Sequence, residues 1–144
     1  MRTFVFYILI LIAVTASGQC EYAVDDSIVE LIGVPEVMPE PVGGFENYLV
    51  WLSENNRLLD SSDTLTARDR VFIEVTIDTS GAMIDKLILR GIGNPYDIEA
   101  CRLVSECPIK WKPGSNRGRK VRYPILIPIF FSEKPLEDLK NYVP

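Results

Sequence analysis

The stretch that decides the fold reads VFIEVTID, from Val71 to Asp78. It is rich in β-branched and aromatic residues, and apolar residues recur at every second position, so it predicts a half-buried β-strand. The residues that follow, Asp78 to Gly81, are turn formers, and Gly81 can adopt the positive φ that a tight turn requires. An extended pattern then resumes from Met83 to Arg90. Together these segments predict a β-hairpin.

Two helices are predicted, one before and one after this hairpin along the chain. The second helix is predicted to begin with Asn94 as its cap and Pro95 in its first position. It is predicted to run to about Cys107, because Pro108 prevents its continuation. The first helix follows a pair of glycines, and its apolar residues occupy the i, i+3, i+4 and i+7 positions of one buried stripe. These residues are Phe45, Tyr48, Leu49 and Leu52.

The last strand is predicted from Val121 to Phe131 and contains Pro124 and Pro128. Because the two prolines are four residues apart, their missing N–H groups lie on the same side of the strand. That pattern predicts an edge strand. Prolines at an edge protect it against unwanted pairing, and the alternative is that the same edge accepts a partner strand by β-augmentation. The residues predicted to donate inward to the neighbouring strand are Ile125, Ile127 and Ile129.

The order helix, strand, strand, helix, strand predicts an α+β fold. In this fold a small antiparallel three-stranded sheet carries both helices on one face. We assign residues 39–133 to this domain, residues 19–38 to an acidic linker or arm, and residues 134–144 to a polar tail.

The N-terminus predicts a secretory signal peptide over residues 1–18. Arg2 gives a positive start, an apolar run extends from Phe4 to Val14, and a small-residue cleavage site precedes Gln19. The signal predicts that the protein is exported. Two alternatives stay open: an uncleaved N-terminal membrane helix, although spanning takes about 20 apolar residues, and a lipid anchor on Cys20.

Composition argues against most catalytic and metal chemistry. The chain has no His, which removes the commonest general base and metal ligand, so we expect no enzyme, no metal and no cofactor. Its three cysteines cannot all pair internally. Six positions along a helix separate Cys101 from Cys107 by roughly 9 Å, which is too far for an unstrained disulfide. Both are therefore predicted to be buried thiols. The uneven charge, acidic up to Asp63 and basic from Lys110 to Arg122, argues against nucleic acid as a partner.

The order of these segments resembles the TonB C-terminal domain family over residues 39–131. Five stretches carry the resemblance. They are PVGGF (41–45), VTIDTSG (75–81), EA (99–100), WKPG (111–114) and IPI (127–129) with Phe131.

The resemblance implies a non-enzymatic periplasmic module that adds a segment of an outer-membrane TonB-dependent transporter, or of a similar envelope protein, beside its last strand. A homodimer through the same edge is a further expectation. The chain lacks the inner-membrane helix with a His and the long proline-rich span of the full transducer, so coupling to the ExbB and ExbD motor is not expected. The predicted partner-binding residues are Arg119, Val121, Arg122, Ile125, Ile127 and Ile129.

The basic segment 110–122 supports a different function. Its six cationic residues could meet an anionic polymer, which would make the protein a structural or peptidoglycan-associated envelope component. The simpler interpretation of such a segment is a solvated loop.

Overall fold

The computed structural model describes residues 20–22, 33–60, 65 and 69–132. The predicted signal peptide, most of the predicted arm and the predicted tail lie outside these residues. In chain order the elements are β1 (Glu21–Tyr22), β2 (Glu40–Pro41), α1 (Gly44–Glu54), β3 (Arg70–Ile77), β4 (Met83–Arg90), α2 (Tyr96–Glu106), β5 (Trp111–Lys112), β6 (Gly114–Asn116), β7 (Arg119–Val121) and β8 (Tyr123–Phe130). In the described ranges, no helix is long and apolar enough to cross a bilayer.

The fold is α+β, with two helices and a four-stranded sheet in the order β1-β4-β3-β8. Strand β3 pairs in antiparallel fashion with β4 on one side and with β8 on the other. The predicted hairpin and last strand are therefore present, but the predicted count of three strands is wrong. The short strand β1 adds to β4 in parallel, and two further ladders join β2 to β5 and β6 to β7. Strands of two or three residues are too short to show a period in the sequence.

One core joins the sheet to both helices. The odd-numbered residues of β3 lie opposite the odd-numbered residues of β8, and Ile73 faces Ile127 at the centre. Tyr48 of α1 and Leu103 of α2 belong to the same buried cluster, so both helices cover this face of the sheet. Each such aliphatic side chain contributes about 1.5–3 kcal/mol on full burial.

The predicted stripe of α1 is confirmed, since Tyr48, Leu49 and Leu52 are buried and Phe45 is partly buried. The Tyr48 ring meets Trp111 edge-on, with ring centroids 5.1 Å apart. Burial strongly raises the pKa of the Tyr48 phenol, and its hydroxyl has no hydrogen-bond partner among the described residues.

Helix α2 begins differently from the prediction. Its first residue is Tyr96 and Pro95 occupies the N-cap, so the predicted Asn94 cap is wrong. The Asp97 carboxylate, which is buried, lies inside the first turn instead and accepts hydrogen bonds from the N–H groups of Ile92 (2.9 Å) and Gly93 (3.2 Å). The backbone before the helix is thereby held by a side chain within it.

A buried carboxylate connects α2 to the chain that follows α1. Glu99 accepts hydrogen bonds from the Arg57 N–H (2.8 Å) and from Nε and Nη2 of Arg102 (2.8 and 2.6 Å). Arg102 also donates to the carbonyl of Asn55, at the C-cap of α1, and to Glu106. Burial by itself raises the pKa of Glu99, but the hydrogen bonds from Arg102 and Arg57 outweigh it and hold the pKa below its ordinary value.

The hairpin turn is confirmed. Gly81 has φ +86°, and a Cβ at this position would lie 2.1 Å from the carbonyl oxygen of Trp111. The Asp78 carboxylate accepts hydrogen bonds from the N–H and hydroxyl of Ser80 and from the N–H of Ala82. The hydrogen bond from the Ser80 hydroxyl is the largest of the effects that lower the Asp78 pKa. The turn requires glycine both for its backbone angle and for the close approach of Trp111.

The cysteines differ from the prediction. Cys20 and Cys101 form a disulfide across a sequence separation of 81 residues, and Cys107 is free. Cys101 is therefore not the buried thiol that was predicted, because its partner comes from the arm and not from its own helix. The Cys20 sulfur is bonded to Cys101 in this structure, and the alternative of a lipid anchor on Cys20 stays a prediction.

The segment 110–122 is not a loop but carries a β-hairpin, β6–β7. The turn residues Arg117 and Gly118 both have positive φ, 47° and 73°, as the hairpin turns that match strand twist require. Val37 pairs with Ser115 through two backbone hydrogen bonds, of 3.0 and 2.8 Å. The end of the predicted arm thus forms an isolated β-bridge with β6.

Candidate partner-binding edge

Strand β8 forms one edge of the four-stranded sheet, as the prolines predict. It pairs with β3 from Tyr123 to Phe130, and no described strand lies on its other side. Only Arg122 separates the end of β7 from the start of β8, so the chain from Arg119 to Phe130 is almost entirely in strands. Its first part pairs with β6 and its second with β3.

The outward backbone groups of β8 belong to its even-numbered residues. In an antiparallel ladder, successive residues direct their backbone groups alternately toward and away from the neighbouring strand. Pro124 and Pro128, opposite Thr76 and Phe72, have no N–H to donate to β3. The carbonyl of Phe130, another even-numbered residue, accepts a hydrogen bond from the Asn56 side chain (2.9 Å) and not from β3.

Only part of this edge is open. At its C-terminal end, Asn56 covers the Phe130 carbonyl and the N–H of Asp60 donates to the carbonyl of Phe131 (2.9 Å). Pro128 is itself buried, so the open stretch extends from Arg122 to Leu126. We call this stretch the β8 edge.

The β8 edge offers an unequal set of hydrogen-bonding groups. Pro124 presents a carbonyl but no N–H, and the next residue with outward backbone groups, Leu126, has both. The Leu126 side chain is 46% exposed. Pro124 thus limits pairing, while a strand that donates to the Pro124 carbonyl and accepts from the Leu126 N–H still fits.

The predicted site residues do not form one surface. Ile125, Ile127 and Ile129 are buried, with 5, 2 and 2% of their surface exposed, because their side chains point into the core. Their side chains therefore do not face a partner, and their role as partner-binding residues stays a prediction. Arg119 and Val121 lie on β7, and Arg122 is exposed at the junction of β7 with β8.

The residue that sequence reasoning missed is Leu126. Once the isoleucines are assigned to the core, strand alternation places Leu126 on the opposite face, so the signal was present in the sequence. Across the same face, the guanidinium of Arg70 stacks on the rings of Phe72 and Phe130, at 5.2 and 5.7 Å from their centroids. Leu126 therefore shares its face of the sheet with this cluster of Arg70, Phe72 and Phe130.

The cations next to the edge are all exposed: Lys110, Lys112, Arg117, Arg119, Lys120 and Arg122. Two acids from the preceding chain approach them. Lys112 pairs with Glu40 (2.5 Å), and a carboxylate oxygen of Glu36 accepts a hydrogen bond from the backbone N–H of Arg117 (2.8 Å). The positive charge that these acids do not approach, including that of Arg119 and Arg122, lies mostly at the N-terminal end of the β8 edge.

Among residues 20–22, 33–60, 65 and 69–132, no group of three Cys, Asp or Glu side chains is placed to hold a metal ion. Comparison with protein-family models, with curated protein sequences and with solved structures finds no match. The resemblance to the TonB C-terminal domain family therefore stays a prediction made from the motifs.

Proposed function

We propose that this protein is an exported, non-enzymatic binding module of the TonB C-terminal type, which adds an extended segment of an outer-membrane TonB-dependent transporter, or of a similar envelope protein, to its β8 edge. The observation that carries the proposal is the open backbone from Arg122 to Leu126 on an edge strand. Main-chain hydrogen bonds would supply affinity in such a mode, and neighbouring side chains would supply specificity.

The hydrogen-bonding groups and charges of the β8 edge indicate which segment it can bind, and we call that segment the guest strand. The guest strand donates an N–H group to the carbonyl of Pro124 and accepts one hydrogen bond from the Leu126 N–H. An apolar guest residue packs on the exposed Leu126 side chain. Near Arg122 and Arg119 the guest carries carboxylates, since the exposed cations there favour negative charge.

The test is binding of labelled peptides from the periplasmic N-terminal segments of outer-membrane transporters to the purified protein, measured by fluorescence anisotropy. Leu126→Pro removes the central N–H, and we expect about tenfold weaker binding, since one hydrogen bond of ~1.4 kcal/mol corresponds to tenfold in Kd. Leu126→Ala keeps that N–H and separates the contribution of the side chain.

Leu89 supplies the matched control. It is 47% exposed, like Leu126, but lies on β4. Leu89→Ala should leave peptide affinity unchanged. Absence of saturable binding by any transporter segment, or equal losses for Leu126→Pro and Leu89→Ala, would reject the proposal.

The exposed cations favour a second candidate, a structural or peptidoglycan-associated component that binds through the basic segment 110–122. All six cationic side chains are solvent-exposed, and the turn of the β6–β7 hairpin carries one of them. Sedimentation of the protein with isolated peptidoglycan at moderate salt tests this function. A reversal of charge at Arg119 and Lys120 should abolish sedimentation, and no sedimentation of the unaltered protein would exclude it.

A further inference from the structure

Residues 20–22 dock on the edge of the sheet opposite β8. Glu21 and Tyr22 form β1 and lie beside Leu87 and Ile88 of β4. The Tyr22 hydroxyl donates to Oδ2 of Asp97 (2.8 Å). Tyr22 is nonetheless 57% exposed, so little apolar surface holds this strand in place.

The third attachment is covalent. Cys20 is bonded to Cys101, which lies in the middle of α2 and is 8% exposed. Both cysteines line a cavity of about 700 Å³ between β1 and α2, together with Ile98, Arg102 and Ser105. The disulfide can therefore be approached from solvent through this cavity.

We propose that the Cys20–Cys101 disulfide is a redox clasp, which holds residues 20–22 on β4 while oxidised and frees the β4 edge at Leu87 and Ile88 when a dithiol protein or small dithiol reduces it. The inference concerns the edge opposite to the proposed peptide site and stands independently of that function.

The dithiol is the reductant in this thiol–disulfide exchange, which proceeds in two steps. One thiolate of the dithiol attacks the Cys20 sulfur, the more exposed of the two, and Cys101 leaves as a thiolate that takes up a proton. The second thiolate of the dithiol then attacks the mixed disulfide and releases Cys20. The dithiol is oxidised to a disulfide, and Cys20 and Cys101 are both reduced to thiols.

After reduction, β1 retains two register positions on β4 and one partly buried hydrogen bond, from Tyr22 to Asp97. Two-stranded pairing of this length is marginal in water without further attachment, and the ordering of each arm residue is opposed by its conformational entropy. The arm therefore leaves β4. The antiparallel strands β3, β4 and β8 keep their mutual pairing and their core.

The free Cys107 is not part of the clasp. It lies six residues beyond Cys101 and caps the C-terminus of α2. Burial raises the pKa of its thiol, so it supplies little thiolate to attack the disulfide at neutral pH. Cys107→Ser can therefore be introduced to make the remaining thiols countable.

The experiment follows amide hydrogen exchange by mass spectrometry in the full chain carrying Cys107→Ser, before and after treatment with dithiothreitol, with the thiols counted in parallel. On reduction we expect two new thiols and an acceleration of about tenfold or more in exchange over residues 87–89, as for a local opening. Exchange at Ile73 and Val75 in the centre of the sheet should not change. Cys20→Ser should reproduce the pattern without reductant.

Three outcomes would overturn the inference. Unchanged exchange over residues 87–89 in the reduced protein would show that the disulfide is not needed to hold β1. Acceleration at Ile73 and Val75 as well would show that the disulfide stabilises the whole fold. Failure of dithiothreitol to generate thiols in the folded protein would show that the cavity gives no access to the bond. Tyr22→Phe, which removes only the hydrogen bond to Asp97, should leave the oxidised exchange pattern intact.

Discussion

Arg102 contacts two glutamates at nearly the same distance but in different surroundings, which allows burial to be tested against geometry. It lies 2.6 Å from Glu99 and 2.5 Å from Glu106. The Glu99 side chain is 8% exposed and that of Glu106 is 57% exposed. If distance alone determined the energy, the two pairs would contribute equally to stability.

Burial predicts a large difference between them. Glu99 receives two partly buried hydrogen bonds from Arg102, and a hydrogen bond to a charged group contributes roughly 1.5–3 kcal/mol. Because Arg102 itself is 17% exposed, solvent screening weakens these bonds. We therefore expect a coupling of about 2 kcal/mol for the pair, below the roughly 3 kcal/mol that is the low end for two such bonds. For the exposed i,i+4 pair with Glu106 we expect about 0.3–0.5 kcal/mol.

Two double-mutant cycles measure these couplings. Glu99→Ala, Glu106→Ala and Arg102→Ala are combined in pairs, and the free energy of unfolding is obtained from urea titrations of the oxidised protein. The exposed pair serves as the internal control, since it shares Arg102 and the same helix. Couplings that agree within about 0.5 kcal/mol would refute the argument from burial.

Three further predictions follow from groups described above. Tyr48→Phe removes a buried hydroxyl without a described partner, so thermal unfolding should show a stability unchanged or raised by up to about 1 kcal/mol; a loss of that size would mean that the hydroxyl is bonded. Gly81→Ala should lower the free energy of unfolding, measured by urea titration, by well over the roughly 1 kcal/mol expected for Gly93→Ala. Both glycines have positive φ, but only at Gly81 would the new Cβ clash with the backbone, at the Trp111 carbonyl. Equal losses for the two variants would contradict this. The lowered pKa of Glu99 means that its carboxylate stabilises the fold at pH values above 4.5, the ordinary pKa of a Glu, and that this contribution is lost as the pH falls below 4.5. Glu99→Gln should therefore weaken the loss of the free energy of unfolding at acid pH. An unchanged acid loss would show that Glu99 does not cause it.

Local periodicity allowed most of the sheet and both helices to be predicted. The alternation around Ile73 and the stripe through Tyr48 are repeated over several residues, and each repeat reports the same buried face. The edge position of β8 was predictable for a different reason, because Pro124 and Pro128 cannot donate to a neighbour. These features depend on residues close together in the sequence.

The features that could not be predicted depend on distant residues. The disulfide joins Cys20 to Cys101 across 81 positions, and nothing near either cysteine identifies the other. Strand β1 has two residues, too few to show a period. The cap of α2 was predicted wrongly because Asp97, inside the helix, holds the preceding backbone in place of Asn94.

The pairing of Val37 with Ser115 has a practical consequence for where this protein can be cut. A fragment that starts at Pro39, where sequence motifs place the domain boundary, would lack both backbone hydrogen bonds of Val37 and the Glu36 contact with Arg117. The outer edge of β6 would then be bare, and bare strand edges favour aggregation. Limited proteolysis should accordingly leave a fragment that begins before Glu36, and recombinant versions intended for binding studies should begin there as well.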